Sequence, residues 1–159
     1  MDWRDGIRAR RDGGYGVRLG ARERELLRSL SNELREAIEA TSGDVDGLFK
    51  PVFARDDAAE AAFVELTRSG LVSGKLEALR ALGATADAEL LGEADADAWC
   101  VALNDLRLVL ADRLGVTGDL FLHDVDPSDP NAPAYALYAW LTWLQGELIE
   151  ALSSRLGAG

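Results

Sequence analysis

His123 is the only histidine and Cys100 the only cysteine in the chain, so any catalytic arrangement built on serine, histidine and aspartate, or on cysteine and histidine, must run through these two positions. His123 sits in the loop His-Asp-Val-Asp-Pro-Ser-Asp-Pro-Asn-Ala-Pro. No sequence partner there defines a reaction, and the simplest reading is a solvated or loop-bonding imidazole. Cys100 follows Trp99 in a strongly apolar run with no histidine at helical spacing, which describes an inert, partly buried thiol. The acids Asp124, Asp126 and Asp129 resemble the start of a calcium loop, but the sixth position is Asp129 where glycine is needed and the twelfth is Tyr135 where glutamate is needed. Asp129-Pro130 and Asn131-Ala132-Pro133 more simply supply helix-start chemistry, with proline in a first turn that needs no N–H donor. Glu89, Glu93, Asp95 and Asp97 form a second acidic cluster. A helix N-terminus favours such acids without further function.

Two polar groups have more specific consequences. Asn104 and Arg107 lie three apart and share a helix face, while Gln145 lies on another strong helix. They are expected to form a structural network between helices, because a buried guanidinium needs partners. A small-ligand or enzyme site there is the alternative. Arg8, Arg10, Arg11 and Arg18 make the N-terminus basic: residues 1–35 carry nine arginines against six acids, whereas the remaining 124 carry eight bases and 22 acids. These four arginines, with Trp140 and Trp143, are the candidate partner surface. The arginines suit an acidic partner and the tryptophans a homodimer contact, against the plainer readings of surface charge and core.

The elements follow from periodicity. Residues 3–20 alternate in the manner of strands around Asp12-Gly13-Gly14 and read as a β-hairpin, which must lie against something else to be stable. Leu26, Leu27, Leu30, Leu34, Ala37 and Ile38 predict a helix from about Ala21 to Ala40. A loop follows over Asp44 to Pro51, with Leu48 and Phe49 as core anchors. The next helix opens at Asp57, which forms a capping box with Glu60 and is followed by Ala59, Ala62, Phe63 and Leu66 on one side. Gly70 and Gly74 predict a break near Ser69-Gly70, with a short helix continuing to about Leu82. A helical turn is expected at Ala88 to Leu91. Trp99, Leu103, Leu106, Leu110 and Leu114 define a helix over Glu93 to Leu114 with Gly115 as its stop, and Leu137, Leu141, Leu144, Leu148 and Leu152 define the last helix, about Asn131 to Leu156. The expected architecture is mainly α: a single domain over 1–159, with a hairpin at 3–20 packed against a bundle of four to six helices at 21–156.

Composition narrows the function classes. A chain of 159 residues buries roughly 70% of the surface it exposes when unfolded, enough for a core without disulfides. A net charge of -11 disfavours phosphate backbones and anionic lipid. The lone cysteine and the charged N-terminus point to a cytoplasmic protein. The longest uncharged run, Pro130 to Gly146, is too polar and proline-rich for a membrane span. The chain lacks Gly-x-Gly-x-x-Gly, a phosphate loop and Gly-x-Ser-x-Gly. Neither a cofactor nor a metal is indicated.

The string Ala102-Leu103-Asn104-Asp105-Leu106-Arg107-Leu108-Val109-Leu110, then Arg113 to Val116, Asp129-Pro130, and Leu137-Tyr138, Trp140-Leu141 and Trp143-Leu144-Gln145, resembles an actinobacterial family, domain of unknown function 2017. The likeness covers most of the chain, including the hairpin, Pro51 and Gly74-Lys75-Leu76. It implies a small, mostly helical cytoplasmic protein without an established activity. The family's genes tend to neighbour a Clp-protease adaptor and a small metallopeptidase, and some members are labelled transcriptional regulators. The leading expectation is a non-enzymatic interaction or regulatory module, with a link to protein turnover. A DNA-binding regulator is the alternative, using a helix-turn-helix at Leu66 to Leu82 in which Lys75 and Arg80 are meagre bases for recognition. An enzyme or small-ligand binder is the third reading.

Overall fold

The computed structural model describes the backbone of residues 6–40, 58–116 and 125–157, with side chains throughout except in 58–70. The first residues of the expected hairpin, the Asp44 to Pro51 loop with Leu48 and Phe49, Asp57 of the capping box, and His123 with Asp124 lie outside the described residues, as do the side chains of Phe63 and Leu66.

The hairpin forms as its alternation predicts. Strand β1 (Gly6–Ala9) pairs antiparallel with β2 (Tyr15–Arg18), with Gly6 opposite Arg18, Ile7 opposite Val17, Arg8 opposite Gly16 and Ala9 opposite Tyr15. Gly13 and Gly14 take φ of 108° and 75°, the left-handed turn conformations that side-chain-bearing residues resist. The period of two turns Ile7, Tyr15 and Val17 inward to full burial and Arg8 and Arg18 outward.

The sheet has a third strand where a helical turn was expected. Strand β3 (Leu90–Leu91) pairs antiparallel with β2, and Val17 N–H donates to Glu89 O at 2.9 Å. Two leucines are too short a run for periodicity to distinguish strand from helix. The free edge of β2 decides it, since its backbone groups need partners. Leu91 is fully buried and Leu90 faces out.

Four helices follow among the described residues: α1 (Ala21–Glu39), α2 (Ala58–Ala84), α3 (Glu93–Leu114) and α4 (Ala132–Gly157). Helix α1 buries Leu27, Ser31, Leu34 and Ile38, a stripe spaced four, three and four. The expected break at Ser69-Gly70 is absent, because α2 runs through both glycines. A helical glycine costs only about 1 kcal/mol relative to alanine, and α2 packs against both α1 and α3. Helix α3 stops at Gly115 as expected. Trp99 is buried at the centre of the core, donating its indole N–H to Thr85 Oγ1 at 2.6 Å. Helix α4 begins within the proline-rich segment, where Asp129 Oδ1 accepts from Asn131 N–H at 2.8 Å. It packs against α3 and under β1, so the hairpin rests on the bundle. No helix among the described residues is long and apolar enough to cross a membrane.

Candidate functional site

Strand alternation places Arg8, Arg10 and Arg18 on the outer face of the sheet, where they line an open groove of about 1020 Å³. Each faces a glycine. Arg8 lies opposite Gly16 and Arg18 opposite Gly6, while Arg10 N–H bonds Gly14 O at 3.0 Å. Across the three strands the middle row reads Arg8, Gly16, Leu90. A Cβ built on Gly16 would meet the Arg10 stem at 3.6 Å and Arg8 O at 3.8 Å, so the Arg10 side chain lies across Gly16.

Arg10 donates to both oxygens of Asp12, at 3.1 and 3.2 Å, and this guanidinium holds the Asp12 carboxyl below its ordinary value. Arg8, Arg11 and Arg18 are exposed and form no ion pair with described residues. Arg11 lies in the turn and does not line the groove. Glu89 is the one acid among the described groove residues.

Two arginines not singled out in the sequence fix this face in place. Arg24 donates to four backbone carbonyls: Leu19 O at 3.0 Å, Ala86 O at 2.9 Å, Ala88 O at 2.8 Å and Val17 O at 3.1 Å. It thereby ties α1 to β2 and to the segment entering β3. Arg155 near the end of α4 donates to Arg10 O at 2.8 Å and Gly14 O at 3.0 Å, and its guanidinium lies 4.7 Å from the Tyr15 ring centroid. Periodicity cannot reveal either role, because a carbonyl acceptor leaves no mark in the sequence.

The tryptophans lie elsewhere. Trp140 is 7% exposed and belongs to the core, and Trp143 is partly buried against it. Little of Trp140 is available to a second chain, since it is buried where α4 packs into the core.

Between α3 and α4, Arg107 donates to Thr142 Oγ1 at 3.0 Å and to Gln145 Oε1, and lies 5.6 Å from the Tyr138 ring centroid. Gln145 in turn donates to Cys100 O at 3.4 Å. Asn104 is not joined to it by a side-chain hydrogen bond among the described residues. Thr142 takes the place that Asn104 was expected to fill. Burial pushes the Cys100 thiol up, away from the reactive thiolate.

A buried ion pair went unforeseen. Lys75 on α2 donates to Asp105 Oδ1 on α3 at 2.7 Å, and Asp105 is 1% exposed. Its other oxygen, Oδ2, has no hydrogen-bond partner. Burial raises this carboxyl above its ordinary value of 3.8, with the Lys75 bond and charge opposing the rise. The signal was present: Asp105 falls three after Ala102 and four before Val109, within the apolar arc of α3. In the loop before α4, Asp126 accepts from Ser128 N–H at 2.9 Å and Ser128 Oγ at 2.8 Å, which lower its pKa. No three metal-ligating side chains are grouped among the described residues.

The geometry thus defines a helical bundle carrying a small sheet with an arginine-lined outer face. Residues 3–152 match the family described as Domain of unknown function (DUF2017), and the chain belongs to that family. No curated protein and no solved structure matches it.

Proposed function

We propose that the protein is a non-enzymatic interaction module that receives an acidic protein partner on the outer face of its sheet. The observation carrying this reading is the exposed row of Arg8, Arg10 and Arg18, of which Arg8 and Arg18 form no ion pair with the described residues. Arginine on a solvated face suits bidentate carboxylate recognition. The polar side chains between α3 and α4, by contrast, are largely turned toward one another, which supports a structural role there over a ligand site.

A DNA-binding role draws less support. The turn needed for a helix-turn-helix is missing from the continuous α2. Lys75 is committed to Asp105, and Arg80 lies 3.7 Å from Glu39. Tyr15, the aromatic side chain of the described strands, is turned inward, so the described outer face lacks a base-stacking platform. A cytoplasmic setting and a link to protein turnover rest on composition and family resemblance alone.

The test is a binding titration of a labelled glutamate-rich peptide and its glutamine counterpart against the wild type and an Arg8→Ala/Arg18→Ala variant. Preference for the glutamate peptide, weakened by salt and lost in the variant, supports the reading. Equal affinity for both peptides overturns it.

A further inference from the structure

Exposed apolar side chains scattered singly over a surface need no explanation, whereas a contiguous group marks an interaction site. Seven large apolar side chains are exposed among the described residues, and the helix registers bring four of them, Leu71, Val101, Leu108 and Ile149, to one side of the bundle. We infer that this side, centred on α3, takes a second partner: an amphipathic helix with an apolar stripe and a basic residue near each end.

Two contacts set α2 and α3 antiparallel: Lys75 with Asp105, and Thr85, just beyond the end of α2, with Trp99. Leu71, one turn before Lys75, therefore lies level with Leu108, about one turn after Asp105. Two further contacts, Arg107 with Thr142 and Gln145 with Cys100 O, set α3 and α4 antiparallel. Ile149, one turn beyond Gln145, therefore lies level with Asp97. Along α3 the ridge facing outward reads Asp97, Val101, Asn104, Leu108 and Asp112, on the side opposite the buried Trp99, Leu103 and Leu106. Leu71, Val101, Leu108 and Ile149 are each between 46% and 50% exposed, so they form an oblique apolar stripe across three helices. None of them lines the arginine groove.

The charges choose the occupant. Asp97 and Asp112 lie about 22 Å apart along the helix axis, at the two ends of the ridge, and form no ion pair with described residues. Two described bases on these helices are already taken, Lys75 by Asp105 and Arg107 by Thr142 and Gln145. A second copy is a poor fit. The ridge reads the same in both directions, acid, apolar, amide, apolar, acid, so a two-fold pairing of α3 with itself would set Asp97 of each copy against Asp112 of the other. A helix with basic residues at its ends meets both carboxylates instead. Val101 and Leu108 are seven residues apart, two helical turns, and a helix laid along α3 returns its own apolar residues at that interval. Asn104, between them, has no side-chain hydrogen bond among the described residues and can give one to such a helix.

Fluorescence polarisation with the full chain and two labelled peptides of equal composition tests this. One peptide forms a helix with leucines seven residues apart and lysines at both ends. The other keeps the lysines in place and reorders the remaining residues so that no face is apolar. The first is expected to bind about tenfold more tightly than the second. Val101→Gln/Leu108→Gln and Asp97→Asn/Asp112→Asn should each weaken it about tenfold, whereas Arg8→Ala/Arg18→Ala should leave it unchanged. Circular dichroism and melting temperature matching wild type establish that the variants are folded. Leu71→Gln, on another helix, repeats the test if either α3 variant melts early. Equal binding of the two peptides, binding of neither, or binding indifferent to these substitutions overturns the inference. Self-association of the wild type that is lost in Val101→Gln/Leu108→Gln would assign the face to a second copy and equally overturn it. Each of these failures leaves the acidic-partner reading standing, since that reading rests on the arginine row.

Discussion

Asp105 and Lys75 are the residues whose replacement should be felt most. Removing one member of a buried pair leaves the other uncompensated, whereas replacing both with apolar groups of similar volume is often close to neutral. Lys75→Met is therefore expected to lower stability by about 3 kcal/mol, and Lys75→Met/Asp105→Leu to recover most of it, read from denaturant midpoints. The same carboxyl makes a pH prediction. A carboxyl that is harder to ionise in the folded chain holds its proton more tightly there than when unfolded, so its contribution favours folding at low pH. That contribution is lost as pH rises from the ordinary value of 3.8 through the raised folded value. The stability difference between wild type and Asp105→Asn should consequently shift against the wild type across that window. A difference independent of pH would show that Asp105 ionises as easily in the folded chain as in the unfolded one.

Two glycines of α2 carry opposite predictions. Gly74 is exposed, and a Cβ there would meet nothing, so Gly74→Ala should raise stability by about 1 kcal/mol through helix propensity alone. Gly83 lies where a Cβ would come within 2.9 Å of Ser31 Oγ, and Ser31 is buried on α1. Gly83→Ala should therefore lower stability by about 1–3 kcal/mol as α1 and α2 are pushed apart, measurable by thermal melting. These positions also explain what could be read beforehand. The hairpin, α1, α3 and α4 were legible because alternation or a leucine stripe ran long enough to fix their period. The break in α2 was a misreading, since glycine spacing reports propensity and not the packing that overrides it. Strand β3 was hidden because two residues have no period. At the candidate site, the arginines were visible as charge and the hairpin as a pattern, but the pairing of each arginine with a glycine required the register. The Lys75–Asp105 pair required knowing which faces of α2 and α3 meet.

At the scale of the molecule, Arg155 joins the two ends of the described fold, reaching Arg10 from 145 positions away. Arg155→Ala should leave the helices formed while speeding hydrogen exchange at the Arg10 and Gly13 amides, which close the turn. Exchange as slow as in wild type would show that the turn holds itself. The hairpin precedes the helices in the chain, yet its inner residues Ile7, Tyr15 and Val17 are covered by elements that follow it, and a lone hairpin is only marginally stable. The arginine row is therefore ordered by α4 although it lies far from it in sequence: a chain lacking α4 carries the charges without the ordered array. On the proposed reading, a variant shortened to remove α4 is expected to fail in the acidic-peptide titration although it keeps every one of these arginines.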